Sequence, residues 1–347
     1  MATQIRHILV AIGDVQGAPR GELRKAGIIA RAAHATVELF HSIDEPDPER
    51  GFPQTATREE VDQHRAAIAE KYRHRLECLT RGSSLRGVTV RCTAAWDYPP
   101  HAAIIRRALA AHSDLVIAAA RGRRFGARLL LRNTDWELIR HCPVPLLFVK
   151  TPRPYRRPLV LAAVDPYHKH ARPADLDSRV LQRGGQIARL LHGSLQVFHA
   201  YRPLVMVEPM TVGAAPLMLT PPEVELAHAE QVTHTIGQLA DKAGIPRAHC
   251  NIRMGEVADQ LSAFARRSGT AIVVMGAVSR SAIARLFIGN TAERALDRLT
   301  CDVLIVKPRG FRSGIQRALA IAPKRTRAQA RLRRSRSSSV AVPPPVL

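Results

Sequence analysis

Two stretches of the sequence decide the fold: SDLVIAAARGRRFGARLLLRNTDWELIRHCPVPLLFVK at residues 113–150 and GTAIVVMGAVSRSAIARLFIGNTAERALDRLTCDVLIVK at residues 269–307. Each contains an apolar run, a loop, an Asn-Thr pair, a helical pattern and a second apolar run ending in Val-Lys. The pairs at Asn133 and Asn290 are 157 positions apart, as are the closing Lys150 and Lys307. A repeat at this spacing indicates a duplicated domain.

The repeat extends to the beginning of each copy. HILVAIGD, ending at Asp14, corresponds to PLVLAAVD, ending at Asp165, and VELFHS at 37–42 corresponds to LQVFHA at 195–200. TPRPYRRP between the copies is rich in proline and arginine, which favours a short, stiff connector. The sequence therefore predicts domain 1 at 1–150, a linker at 151–157, domain 2 at 158–308 and a basic, disordered tail at 309–347.

Short apolar runs alternate with helical patterns in both copies. In copy one the predicted strands are 7–13, 36–42, 87–93, 114–119 and 144–150, and the helices 20–34, 57–81, 99–112 and 134–141. In copy two the strands are 159–164, 194–200, 248–253, 271–275 and 302–306, and the helices 175–192, 222–243, 255–268 and 290–299. Parallel strands joined by helical crossovers need helices on both faces. The predicted class is α/β, with two doubly wound parallel five-stranded sheets in tandem.

The formal net charge is +23, and nine of the basic residues lie in 311–347, which has no acidic residue. The rest of the chain therefore still carries +14, and a surface of this kind favours phosphates or nucleic acid without specificity. The tail is interpreted either as a nucleic-acid arm or as a solubilising extension. Five scattered cysteines with no CxxC pair favour reduced thiols. Without a visible signal peptide or membrane span, we expect a cytoplasmic protein.

The ligand site of a doubly wound sheet lies beyond the carboxyl ends of its strands, where the strand order reverses. In copy two this predicts a crevice between Asp165, the segment MGAVSRS at 275–281 and GNT at 289–291. Gly276 would allow a phosphate chain to approach the backbone, and the start of the last helix offers free N–H groups. Two local alternatives remain open: Asp165 as the cap of a turn, and Thr291 as a helix cap.

These residues resemble the phosphate loop of the universal stress protein family, whose ATP-binding members carry GxxG, nine residues, then G with Ser or Thr. Here Gly276 and Gly289 match the first and third glycines of this motif. Ser279 occupies the position of the second glycine, and Asn290 occupies the position of the Ser or Thr, with Thr291 one place later. The strings NTDWELIRHCPVPLLFVK and GNTAERALDRLTCDVLIVKP are similar to the tandem, E-type branch of that family, and the resemblance covers nearly all of 5–308.

The resemblance implies an adenine-nucleotide α-hydrolase-like fold with strand order 3-2-1-4-5. It also implies pairing through the last strands, here Val144 to Lys150 with Val303 to Lys307, and leaves a homodimer open. It suggests ATP, with Mg, as ligand and a role in survival under stress. Asp165 would then contact the base or ribose, Val197 and Val278 would form apolar walls, and the phosphates would lie at Gly276, Ser279, Gly289, Asn290 and Thr291.

Copy one departs from this pattern, because Ala119 and Arg132 occupy the positions of Gly276 and Gly289. We expect no ATP there. Five arginines would instead lie at the same rim: Arg121, Arg123 and Arg132, with their neighbours Arg124 and Arg128. They would either bind an anion or form a solvated face.

No GxSxG, Walker loop or GxGxxG occurs, and the fifteen histidines are dispersed. We therefore expect a ligand-binding stress-response protein, not an enzyme, with at most weak ATP hydrolysis and no metal site. The alternative is a scaffold that binds another anionic small molecule or a protein.

Overall fold

The computed structural model describes residues 4–17, 20–43, 57–120, 123–125, 128–130, 133–167, 175–203, 221–277 and 290–316. In domain 1 the elements are β1 (His7–Ala11), α1 (Arg20–Ala33), β2 (Thr36–Ile43), α2 (Arg58–Thr80), β3 (Val90–Trp96), α3 (Pro100–Ala110), β4 (Leu115–Ala119), β5 (Arg123–Phe125), β6 (Arg128–Leu130), α4 (Asn133–His141) and β7 (Leu146–Val149). In domain 2 they are β8 (Leu159–Ala163), α5 (Leu176–Leu190), β9 (Ser194–Tyr201), α6 (Pro222–Lys242), β10 (Cys250–Met254), α7 (Val257–Arg267), β11 (Ile272–Gly276), α8 (Asn290–Arg298) and β12 (Asp302–Val306).

The strands of the two domains form one ten-stranded sheet with order β10-β9-β8-β11-β12-β7-β4-β1-β2-β3. In this sheet all pairs inside a domain are parallel, and the order is 3-2-1-4-5 when the five long strands are counted along the chain. The domains meet where β12 pairs antiparallel with β7, which places Val303 opposite Phe148 and Ile305 opposite Leu146. The predicted fold class and strand order are confirmed, and the last strands pair within one chain.

The helices cover the two faces of this sheet in matching sets. One apolar core contains residues of α1, α2, α5 and α6, such as Ile29, Leu76, Val180 and Ile236. The other core, on the opposite face, contains residues of α3, α4, α7 and α8. Because both faces are covered, the central strands are apolar on both sides, which explains the continuous apolar runs in the sequence.

A buried polar cluster reinforces the seam between the domains. Asp302, at the start of β12, is fully buried and forms an ion pair with the equally buried Lys25 of α1. It also accepts a hydrogen bond of 2.6 Å from the Tyr155 hydroxyl and bonds of 2.8 and 3.1 Å from the backbone N–H groups of Lys150 and Thr151. The linker is thus held against both domains.

Two features differ from the sequence-based expectation. Residues 123–125 and 128–130 pair as an antiparallel hairpin, and the backbone of β6 lies against α8 of domain 2. Residues 309–316, predicted to begin the disordered tail, instead pack on domain 2: Ser313 is buried, and Lys307 Nζ lies 4.9 Å from the centroid of the Phe311 ring. The remainder of the predicted tail lies outside the described residues.

Candidate functional site

A cavity of about 660 Å³ opens at the carboxyl ends of β8, β9 and β11 in domain 2. The chain leaves β8 outward to β9 and β10 but returns to β11 on the other side, so the cavity lies where the strand order reverses. Helices α6, α7 and α8 supply the remaining walls through residues such as Val232, Leu261 and Ala295. The fold thus forms a ligand-sized space at the position predicted for copy two.

The structure brings three of the predicted site residues together, since Asp165, Gly276 and Thr291 all line this cavity. Val197 does not line it, because it is fully buried in the middle of β9, where the sheet is closed on both faces. Ala200 and Tyr201, at the end of the same strand, form that wall instead. Asn290 begins α8. Val278, Ser279 and Gly289 lie outside the described residues.

Asp165 directly follows β8, and its backbone N–H donates a 3.1 Å hydrogen bond to Asp177 Oδ1 on α5. The corresponding Asp14 of domain 1 closes a local turn, because its Oδ1 accepts bonds of 2.8 and 3.0 Å from the N–H groups of Gln16 and Gly17. Asp14 therefore caps a turn, and Asp165 lines a ligand-sized cavity.

Gly276 has a packing role besides its place in the cavity wall. A Cβ atom at this position would lie 2.6 Å from Leu176 Cδ2 and 2.9 Å from Leu176 Cγ, at the first residue of α5. Such distances are too short, so a side chain here would force Leu176 to shift. The absence of a side chain keeps α5 close to the strand end and leaves the cavity wall as bare backbone.

His199, on β9, is a cavity residue that the sequence analysis missed. Its side chain is buried, and its Nδ1 lies 2.9 Å from the carbonyl oxygen of Val164, while no group of the described residues forms a hydrogen bond with the buried Nε2. Because a carbonyl only accepts, Nδ1 carries a proton, and in the Nδ1–H tautomer Nε2 is an acceptor. The Phe-His pair that occurs in both copies is the sequence pattern that could have indicated this residue. In domain 1, His41 makes the same contact with the carbonyl of Ile12, at 2.8 Å.

Aromatic and charged side chains complete the cavity. The Tyr167 ring lies 5.9 Å from the His199 ring, and its hydroxyl contacts Thr235 Oγ1 on α6 at 2.9 Å. At the rim, Glu256 forms an ion pair with Arg202 and lies 3.9 Å from Arg294. The cavity therefore combines buried hydrogen-bonding groups with cations at its mouth, a combination that suits a polar ligand with an anionic end.

The arginine cluster of copy one remains a prediction. Arg121 and Arg132 lie outside the described residues, and the structure gives only the backbone position of Arg123, in β5. Among the described residues there is no group of three or more His, Cys, Asp or Glu side chains able to hold a metal ion. A search of the same residues finds no helix of the length and apolarity needed to cross a bilayer.

The architecture defines a class of protein: a tandem of two doubly wound α/β domains, joined through their last strands, with a ligand-sized cavity at the switch point of the second. The universal stress protein family model matches residues 4–150 and 160–307. The chain belongs to the universal stress protein family.

Relatives place the chain within that family. Universal stress protein E of Salmonella typhi is 29% identical over 269 residues, which cover 76% of this chain and 80% of the relative. The protein of the same name from Escherichia coli K12 is 28% identical over 236 residues, covering 66% and 72%. A functionally unknown protein from Pseudomonas aeruginosa PAO1 shares the fold, with a TM-score of 0.62, 23% identity and coverage of 88% and 93%. The chain is thus similar to the E-type tandem members.

Proposed function

We propose that this protein is a stress-response factor that binds an adenine nucleotide, or a closely similar anionic ligand, in the cavity of domain 2. The observation that carries the proposal is the joint position of Asp165, His199, Gly276 and Thr291 around one cavity at the switch point. A cavity of about 660 Å³ is within the size range of small-molecule sites.

The described residues suit the nucleoside part of such a ligand. In the Nδ1–H tautomer, Nε2 of His199 accepts a hydrogen bond, which a ribose hydroxyl or an exocyclic amino group can donate. The Asp165 carboxylate accepts from the same kinds of group. The ring of Tyr167 and the side chain of Val232 give apolar surface for a base.

The phosphates are proposed to leave the cavity towards the beginning of α8, where Thr291 lies and Arg294 adds a positive charge. Sequence positions Ser279 and Gly289 would complete the phosphate loop. Mg, if bound, would neutralise phosphate oxygens there. We propose ligand binding without dedicated catalysis, with ATP hydrolysis slow at most.

The alternative is a scaffold whose domain 2 cavity takes a different anion. Glu256 forms an ion pair with Arg202 and lies near Arg294, so it already offsets part of the positive charge at the rim. It therefore favours neither the nucleotide nor the different anion by itself. Titration with adenosine, AMP, ADP and ATP-Mg in a calorimeter separates the two classes. An adenine-specific site binds all four compounds. A general anion site binds the three that carry phosphate groups and does not bind adenosine.

Three variants locate the site. Asp165→Asn should weaken adenosine and ATP alike, by about tenfold or more, because a charged hydrogen-bond acceptor is lost. Asp14→Asn, the matched change in domain 1, should leave both affinities unchanged. Gly289→Arg, which copies the residue at position 132, should weaken ATP and spare adenosine. Equal losses from Asp14→Asn and Asp165→Asn, or binding that no variant alters, would contradict the proposal.

A further inference from the structure

A second cavity in domain 2, of about 550 Å³, is a groove along the outer side of α5. Its walls are α5 and the turn that follows α6, and it shares no lining residue with the ligand cavity. The floor contains apolar side chains such as Leu195 and Ile245, and the rim is mainly basic. The groove is thus amphipathic and separate from the proposed nucleotide site.

Most of the rim cations have no opposite charge beside them. Arg309 lies 3.7 Å from Asp175, which among the described residues is the one carboxylate that lines the groove. Within the part of the chain that the structure describes, Arg179, Arg189 and Lys242 form no ion pair, and Nε of Arg179 is buried without a hydrogen-bond partner. Uncompensated cations around an apolar floor favour an occupant with negative charge.

Domain 1 shows what fills the corresponding place there. Gly27 and Arg31 on α1 correspond to Gly185 and Arg189 on α5, each 158 positions later. In domain 1 the short 3₁₀ turn at 83–85 packs on α1, and Nη1 of Arg31 donates hydrogen bonds of 3.1 Å to the carbonyl oxygens of residues 84 and 86. A Cβ on Gly27 would lie 1.9 Å from the carbonyl oxygen of residue 84, so the covering backbone makes direct contact with the helix.

Among the described residues of domain 2, no segment covers this place. The connection from α6 to β10 spans 243–249, two residues fewer than 81–89 in domain 1, and its 3₁₀ turn packs on α6 and β9. The three atoms nearest to a Cβ on Gly185 are all in side chains, two of Arg189 and one of Leu195. Arg189 therefore faces a groove without the carbonyl oxygens that its counterpart Arg31 binds.

We propose that the groove of domain 2 binds an acidic peptide segment of a partner protein, in the place that residues 83–86 take in domain 1. Backbone carbonyls of the peptide accept hydrogen bonds from Arg189, as the covering turn does from Arg31, and its carboxylates contact Arg179 and Lys242. The chain's own residues 317–347 do not match this groove, because they carry eight Lys or Arg and no acidic residue.

Fluorescence anisotropy with the full chain and two labelled eight-residue peptides tests the proposal. One peptide copies residues 81–88, Arg-Gly-Ser-Ser-Leu-Arg-Gly-Val, and the other is its acidic form, Asp-Gly-Ser-Ser-Leu-Glu-Gly-Asp. The acidic peptide should bind and the basic one should not. Arg189→Glu and Lys242→Glu, both at exposed positions, should each weaken binding by about tenfold or more.

Arg267→Glu is the matched control, because Arg267 is exposed on α7, on the other face of the sheet. It makes the same charge change and should alter binding less than about twofold. The proposal is overturned if the acidic peptide fails to bind, if both peptides bind equally, or if the control weakens binding as much as Arg189→Glu. Displacement of the peptide by an eight-nucleotide thymidine strand at equal concentration would show a general polyanion surface and would also overturn it.

Discussion

Asp302→Asn tests the polar cluster that joins the two domains. Asp302 and Lys25 are both fully buried, one on β12 and the other on α1. The substitution removes the negative charge and leaves Lys25 as a buried cation that is hydrogen-bonded to the carbonyl and hydroxyl oxygens of Thr151. Asparagine can still accept from the backbone N–H groups at the seam. The loss therefore reports mainly on the ion pair.

The expected cost is large. Removing one partner of a buried ion pair destabilises proteins by about 3–5 kcal/mol, because the remaining charge is not compensated. Burial already lowers the pKa of Lys25, and Asp302 is the main group that opposes this shift. Without Asp302, Lys25 loses its proton more readily, so we expect a cost near the lower end, about 3 kcal/mol.

Urea unfolding followed by far-UV circular dichroism measures the effect. The double variant Lys25→Met with Asp302→Asn should regain a clear part of the loss, since no buried charge remains. Asp241→Asn, which removes the exposed partner of Arg247, is the control and should leave the unfolding midpoint unchanged. The reasoning is refuted if Asp302→Asn unfolds at the wild-type midpoint, or if the double variant is no more stable than the single one.

Three further predictions concern single positions. Gly27→Ala should destabilise the protein by roughly 1–3 kcal/mol, because its Cβ would meet the carbonyl oxygen of residue 84. Gly185→Ala should stabilise the protein by about 0.5–1 kcal/mol, because alanine favours the helix more than glycine does. Equal unfolding midpoints for the two variants would contradict this. Burial lowers the pKa of Lys307 to about 7. Between that pH and the unfolded pKa of about 10.4, the unfolded state binds one more proton than the folded state. The free energy of unfolding should therefore rise by roughly 1.4 kcal/mol per pH unit over this range. Urea titrations between pH 7 and 9 should show this rise in the wild type relative to Lys307→Met, and parallel profiles would count against it. His199→Phe should weaken adenosine binding about tenfold in calorimetry, as expected when a buried hydrogen bond is lost, and the matched His41→Phe should not; equal effects would exclude the assigned contact.

Much of the architecture can be predicted from the sequence because it depends on periodicity. The offset of 157 between the Asn-Thr pairs defines the two domains, and apolar runs bounded by helical patterns define parallel strands. The pairing of β7 with β12 follows from the family resemblance. The β5–β6 hairpin could not be predicted, because its strands have three residues each in an arginine-rich segment without alternation.

The candidate site was predictable only in part. Asp165 and Thr291 stand at a strand end and a helix start, which are positions that sequence patterns mark. Val197 is buried and is not among the lining residues, because the cavity opens at the end of β9, three residues further along. Arg202 and Arg294 meet at Glu256 from distant parts of the chain, so no local pattern reveals that contact.

Asp302 shows a second limit of sequence reasoning. Its partners come from α1, from the linker and from the end of β7, and the structure alone brings them together. In the sequence it is one aspartate before an apolar run, which is equally typical of an exposed strand start. Long-range polar clusters of this kind have no periodic signal.

The central claim is that domain 2, and not domain 1, binds an adenine nucleotide at its strand ends. Hydrogen–deuterium exchange of the full chain, with and without saturating ATP-Mg, tests it most directly. The account predicts slower exchange at residues 164–167, 199–202 and 291–295, and unchanged exchange at the corresponding residues 12–16 and 41–43. Slower exchange in the domain 1 segments, or no change in either domain, would contradict it.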